Sequence, residues 1–342
     1  MSEKFAYISI ICPVYNEEKY IDACISSMLV QDYPKDKIEI LFIDGKSTDN
    51  TNKIIQSYSS KYSFIKLLNN EFRAAPYALN LGIQESTGDI IMRIDGHSEY
   101  PSHYVSTLVK NLRTLSADNV GGVINTLPAK DTVVCRSIAV ASSHPFGVGN
   151  SYFRIGIDKI LEVDTVPFGC FRRELFDKIG LFDEDLIRNQ DDEFNARIIK
   201  GGGKIYIVPS IVINYVARDS ISKMARMYYQ YGLFKPLVNK KLGSPATLRQ
   251  FFPALFVLGI LIGAALSLFS TILSFIYLGV LCLYGLISLT SSIIVAARYK
   301  DYRQIIVLPM VFFIIHINYG CGYLHGLYRI FTGKKIDINI KK

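Results

Sequence analysis

The chain's apolar positions follow two different rules, one in the first hundred residues and another in the last hundred. Early on, short apolar runs alternate with helical spacing. Tyr7 to Cys12 is a compact apolar run closed by Pro13, the pattern of a strand buried on both faces. In Glu17 to Val30, Ile21, Cys24, Ile25, Met28 and Leu29 fall on one helical face. A second strand is predicted at Ile38 to Ile43. Ser47-Thr48-Asp49-Asn50 then offers N-caps for a helix carrying Ile54, Ile55 and Tyr58. Ile65 to Leu68, Ala75 to Gln84 and Asp89 to Ile94 read as strand, helix and strand. This order predicts an α/β fold with a mainly parallel, Rossmann-like sheet and helices on both faces.

The second rule is length without charge. Residues 250–297 contain no Asp, Glu, Lys or Arg, and neither do residues 304–328. A hydrocarbon core of about 30 Å takes about 20 apolar helical residues, so the first stretch has room for two crossings and the second for one. Pro309, His316, Asn318, Gly320, Gly322 and His325 in the second stretch leave a broken or re-entrant segment as its alternative.

Charge changes the picture at one place. Between Lys204 and Arg249 there are eight basic residues and one acid, Asp219, whereas the remainder of the chain is nearly balanced. A basic run ahead of an apolar stretch favours the cytoplasmic side and anionic headgroups. It also makes nucleic acid an improbable partner despite the net charge of +8. The N-terminus lacks the cationic and apolar regions of a signal peptide, so none is expected. The six cysteines have no framework spacing, and the first four read as reduced thiols. The expected layout is a catalytic domain over 1–235, a basic juxtamembrane segment over 236–249, a membrane region over 250–331 and a basic tail over 332–342. The expected location is a cell membrane, multi-pass, with the catalytic domain cytoplasmic.

Ligands of open α/β sheets bind beyond the carboxyl ends of the strands. There the chain places Pro13-Val14-Tyr15-Asn16-Glu17, Asp44-Gly45-Lys46-Ser47 and Asp95-Gly96-His97-Ser98. No dinucleotide fingerprint or P-loop follows the first strand. PVYNE, FIDGKSTDNT and RIDGHS, each at a strand end and in this order, resemble family 2 glycosyltransferases with the GT-A fold. The likeness continues through VPFGCFRRELFDKIGLFDEDL and RNQDDEFNARI, covering roughly residues 5–235. GVGNSYFR, RIDGHSEYP and the apolar C-terminal segments are more similar to membrane-bound members that build exopolysaccharide, of the succinoglycan glucosyltransferase type.

The resemblance implies transfer of a sugar from a nucleotide-sugar donor, a UDP-sugar foremost. It places Pro13, Tyr15, Glu17, Asp44, Arg73, Asn80 and Asp95 on the donor side, with Asp44 accepting from the base. As a turn residue ahead of Gly45, Asp44 also has a plain structural reading. The family's DxD metal motif stands here as Asp95-Gly96-His97, implying a divalent cation on Asp95 and His97. An imidazole nitrogen suits Mn²⁺ better than Mg²⁺. The family's base is the Asp of an ED pair, with an apolar residue three later and an Arg six later. Asp191, Phe194 and Arg197 fit that frame, with Gln190 in place of the Glu and Asp192 as the alternative base. Gly169, Cys170 and His144 are implied on the acceptor side. One base and no evident nucleophile imply a single inverting displacement.

The acceptor implied is a lipid-linked oligosaccharide. A polyprenyl-phosphate sugar transferase shares the donor motifs and stands as the alternative. A processive synthase would carry QxxRW, and the chain has no Trp. A non-catalytic scaffold or export component is the reading outside enzymes; Asp44, Asp95 and Asp191 argue against it.

Overall fold

The structure is a computed structural model that describes residues 5–336. Lys341 and Lys342 of the basic tail lie outside the described residues. In chain order the first elements are β1 (Ile8–Val14), α1 (Ile21–Leu29), β2 (Ile38–Asp44), α2 (Thr51–Ser59), β3 (Ile65–Asn69), α3 (Ala75–Glu85), β4 (Ile90–Arg93) and β5 (Ser98–Glu99). Next come α4 (Tyr104–Thr114), β6 (Asn119–Leu127), α5 (Val133–Ala141), α6 (Pro145–Val148), α7 (Tyr152–Ile155), β7 (Leu161–Glu162), β8 (Cys170–Arg172) and α8 (Arg173–Ile179). The chain ends with α9 (Gln190–Lys200), β9 (Ile205–Val216), α10 (Ile221–Leu242), α11 (Phe252–Ser267), α12 (Thr271–Tyr299) and α13 (Gln304–Phe331).

The chain divides into two compact units, residues 1–125 with 155–215, and residues 126–154 with 216–342. The first is built on a sheet ordered β3-β2-β1-β4-β8-β6-β9-β5, with β7 on β9. β3, β2, β1 and β4 are parallel, as the apolar runs predict. Every residue of β2 is buried, which is why that strand reads as continuous hydrophobicity rather than alternation. Beyond β4 the sheet turns antiparallel through β8, so the fold is a mixed GT-A-like sheet. Strand order reverses between β1 and β4, and the loops after β2, β1 and β4 therefore emerge side by side at one edge.

The second unit gathers residues 126–154 with the C-terminal helices, whereas the sequence placed the first boundary at 235. The reason is apolar packing. Ile138, Ala139 and Ala141 of α5 are buried with Met224, Met227 and Tyr228 of α10 and Leu308, Val311, Phe312 and Ile315 of α13. Among the described residues, three helical segments are long and apolar enough to cross a membrane: Leu248–Ser267, Thr271–Tyr299 and Gln304–Phe331. The last is one unbroken helix despite Pro309, not the broken segment its Gly and Pro content allows.

Candidate active site

The loop after β1 is laced to the loop after β2. Asn16, in the left-handed region at φ 56°, donates its N–H to Ser47 Oγ at 2.9 Å. Its side-chain oxygen accepts from Thr48 N at 2.8 Å. Glu17 N donates to Thr51 Oγ1 at 2.8 Å. Asn16 thus acts as a rivet, and it fixes the direction of the next side chain, Glu17.

Glu17 points at the loop after β4. His97 Nδ1 lies 3.0 Å from Asp95 Oδ1 and 3.2 Å from Glu17 Oε1, and ligand atoms of the three residues lie within 4.8 Å of one another. Asp95 is held in turn by its own N–H, which donates to Tyr100 Oη at 2.7 Å. The His97 ring packs on Tyr215, centroids 5.0 Å apart. Burial disfavours the imidazolium, but the Asp95 and Glu17 carboxylates outweigh it and hold the imidazole's pKa well above the usual histidine value. Two carboxylates converging on one nitrogen make a cation-seeking site. Two oxygen donors and one imidazole fit a divalent metal of the Mn²⁺ kind. The sequence points to Asp95 and His97 as ligands and to Glu17 as part of the donor pocket; in the structure Glu17 lies in the same group.

Donor-side residues divide in two groups. Tyr15 is exposed, and the Arg73 guanidinium lies over its ring at 5.7 Å, a flat cationic–aromatic surface beside the cation-seeking group. Pro13 pairs with Ile43 inside the sheet. Asp44 is buried, and its carboxylate accepts from Ser47 N and Oγ and from Asn52 Nδ2 at 2.7 Å. Asn80 is also buried and spends its amide on Phe182 and Glu184. Asp44 and Asn80 therefore shape the loops around the site.

Asp191 stands in the first turn of α9, partly exposed, with Arg93 Nη1 3.9 Å from its Oδ2. Arg93 ends β4, two residues before Asp95. Its backbone N–H donates to Gly169 O at 3.0 Å, and its guanidinium lies 5.9 Å over the Phe168 ring. Its Nε is buried and without a hydrogen-bond partner. Glu193 of the same acidic turn faces elsewhere. Glu193 is buried and chelated by Arg197, Nε to Oε1 at 2.7 Å and Nη2 to Oε2 at 2.9 Å. Arg197 also donates to the carbonyls of Ile179 and Leu181. Phe194 packs among Phe171, Phe176 and Phe182, with centroids 4.5–5.4 Å apart. Phe194 and Arg197 thus anchor α9, and the anchored helix presents Asp191. Asp192 N donates to Asp191 Oδ1 at 3.0 Å.

The acceptor-side residues separate. A Cβ on Gly169 would run into the Phe171 ring and Asn119 Oδ1, so glycine there relieves crowding inside the protein. Cys170 is fully buried in β8, and burial pushes its thiol far up. His144 belongs to the second unit. Its Nδ1 accepts from Phe146 N at 3.1 Å, capping α6, and its ring packs on Phe312 at 5.3 Å.

A family model described as Glycosyl transferase family 2 matches residues 9–180. The dolichyl N-acetyl-alpha-D-glucosaminyl phosphate 3-beta-D-2,3-diacetamido-2,3-dideoxy-beta-D-glucuronosyltransferase of Methanococcus voltae is 31% identical over 335 residues, covering 94% of this chain and 98% of its own. The succinoglycan biosynthesis protein ExoA of Rhizobium meliloti (strain 1021) is 27% identical over 261 residues, covering 76% and 78%. Among solved structures, the mannosyltransferase PcManGT from Pyrobaculum calidifontis, in complex with GDP-Man and Mn²⁺, matches with TM-score 0.57 at 19% identity. That match covers 93% of this chain and 88% of the other and establishes a shared fold.

Proposed function

The chain belongs to glycosyl transferase family 2, and on that premise we propose that it moves one sugar from a nucleotide-activated donor, a UDP-sugar foremost, onto a lipid-linked saccharide at a membrane. The observation that carries this reading is the pairing at one sheet edge of a cation-seeking group, Glu17, Asp95 and His97, with a carboxylate, Asp191, presented by an anchored helix. Support for a lipid-linked acceptor comes from the M. voltae relative, whose name specifies a dolichyl phosphate-linked one, and from the apolar helices. The basic run before α11 favours the cytoplasmic side for the catalytic unit.

In the mechanism Tyr15 and Arg73 hold the donor's nucleotide, the ring by stacking and the guanidinium by charge. Glu17, Asp95 and His97 would hold a divalent cation, Mn²⁺ or Mg²⁺, which when bound neutralises charge on the departing diphosphate. Asp191 receives the proton of the acceptor hydroxyl as its oxygen forms a bond to the anomeric carbon. The bond from that carbon to the diphosphate oxygen breaks, and the nucleoside diphosphate leaves with the electron pair. A single displacement inverts the anomeric centre. Before the acceptor arrives, Arg93 holds the Asp191 carboxylate in place.

Asp191→Asn tests this assignment. It should bind nucleotide sugar as the parent does and lose roughly 10²- to 10⁴-fold in transfer rate. Normal turnover by this variant removes Asp191 from the role, and loss of transfer by Asp192→Asn alone moves the role to Asp192.

A further inference from the structure

The length and apolarity of α13 qualify it as a third membrane crossing, and it touches α11 at Gly320 and α12 at His316, yet its most extensive packing is against the cationic α10. α10 and α13 run parallel with their backbones almost touching. A Cβ on Gly232 would overlap the carbonyl oxygen of Tyr319, one on Gly322 that of Tyr229, and one on Gly326 that of Leu233. The seam continues through Met224, Met227 and Tyr228 against Leu308, Val311, Phe312 and Ile315. Asn239 Nδ2 donates to Tyr323 Oη at 3.1 Å, and Tyr229 Oη bonds His325 Nδ1.

A helix so joined takes its neighbour wherever it goes. α10 carries Lys223, Arg226, Lys235, Lys240 and Lys241, and five cations do not enter a hydrocarbon core together. α10 also follows β9 directly in the chain, with four residues between them. The turn before α13 is pinned as well, because Arg136 of α5 donates to Asp301 at 2.8 Å.

On one side α13 shows Ile306, Met310, Tyr328 and Phe331, all exposed, at spacings that share one helical stripe. Exposed cations flank the stripe at both ends, Arg298, Lys300 and Arg303 before it and Lys334 and Lys335 after it. A crossing would carry the second cluster away from the cytoplasm, against the positive-inside rule. A helix lying in the interface puts both clusters on anionic headgroups.

We propose that, among the described residues, α11 and α12 are the membrane crossings, and that α13 lies with α10 on the catalytic-side leaflet, its apolar stripe in the acyl boundary and its two basic ends on anionic lipid. Lys334 and Lys335 then stay on the same side as the catalytic unit.

The test is side-specific labelling of the full chain in sealed membrane vesicles with a membrane-impermeant, negatively charged maleimide. Three single substitutions are compared: Lys61→Cys on α2–β3 of the catalytic unit, Phe269→Cys between α11 and α12, and Lys334→Cys after α13. Each signal is scaled to its own labelling in detergent. The expected result is that Lys334→Cys labels from the same face as Lys61→Cys, and Phe269→Cys from the opposite face. Labelling of Lys334→Cys from the opposite face establishes a third crossing and overturns the proposal, as does its protection from both faces. Labelling of Phe269→Cys together with Lys61→Cys overturns the two-crossing hairpin. The readout involves no sugar, so it fails or succeeds separately from the transfer reaction.

Discussion

Arg93 Nη1 and Asp191 Oδ2 face each other across 3.9 Å, one at the end of β4 and the other in the first turn of α9. The distance is long for a formed hydrogen bond, so this is an electrostatic tether that an entering hydroxyl can share. Arg93→Met should lower kcat by roughly tenfold or more while leaving the donor KM near the parent value, as befits a group acting on the base. Arg93→Lys should recover part of the loss, since it keeps the charge without the planar fork. A raised donor KM with unchanged kcat would instead place Arg93 on the diphosphate.

His97 makes a pH-dependent prediction. Burial works against its proton and the Asp95 and Glu17 carboxylates work for it, with the carboxylates prevailing. A histidine raised in the folded state contributes stability that is full below about pH 6.5 and is lost as pH rises through its folded value. A cation on Nδ1 must displace that proton, so apparent metal affinity climbs over the same window. The thermal shift on adding Mn²⁺ should therefore grow as pH is raised from about 6.5, and calorimetry in buffers of different ionisation enthalpy should detect proton release. Glu17→Gln should weaken Mn²⁺ binding as Asp95→Asn does. A Mn²⁺ shift that ignores both pH and Glu17 separates these residues from the metal.

Glu193 and Arg197 predict a stability defect distinct from a catalytic one. Glu193 is buried, and Arg197 is its partner through both carboxylate oxygens. Arg197→Met leaves a buried charge unpaired, which costs on the order of 3 kcal/mol. Thermal unfolding in detergent should show a clear fall for this variant and almost none for Asp191→Asn.

The α10–α13 seam is equally sensitive. Gly232→Val sets side-chain carbons against the Tyr319 carbonyl, and overpacking of this kind costs about 1–3 kcal/mol or more. Gly285→Ala on α12 meets nothing within 4 Å and should be neutral. Comparing the two by thermal unfolding separates a specific seam from a general intolerance of helix glycines.

Much of this molecule is legible in its sequence where strands are long and buried. β1 and β2 announce themselves as predominantly apolar runs, interrupted by Ser9 and Glu39, and the polar clusters that follow them mark the site edge. In the antiparallel half β5, β7 and β8 give no such signal, because β5 and β7 have two residues each and β8 has three, too few for any period. The grouping of Glu17 with Asp95 and His97 is not legible in the sequence, because they lie some eighty positions away, a distance no local pattern spans. Phe194 and Arg197 were visible as a spacing without a role, which only the Phe cluster and the Glu193 pair supply. His144 did carry a local signal: followed by Pro145, it fits a cap with proline at the first helical position, and it is one.

The central claim is sugar transfer to a lipid, and the most direct measurement follows label. Membranes containing the full chain are incubated with a panel of radiolabelled nucleotide sugars, with and without Mn²⁺, and the lipid extract is counted. One donor should deliver label to the lipid fraction as a saccharide extended by one sugar, Mn²⁺ should raise the signal, and Asp191→Asn should abolish it. Label on a bare polyprenyl phosphate would assign the alternative acceptor. No label from any donor, or equal label from the Asp191→Asn chain, would contradict the account.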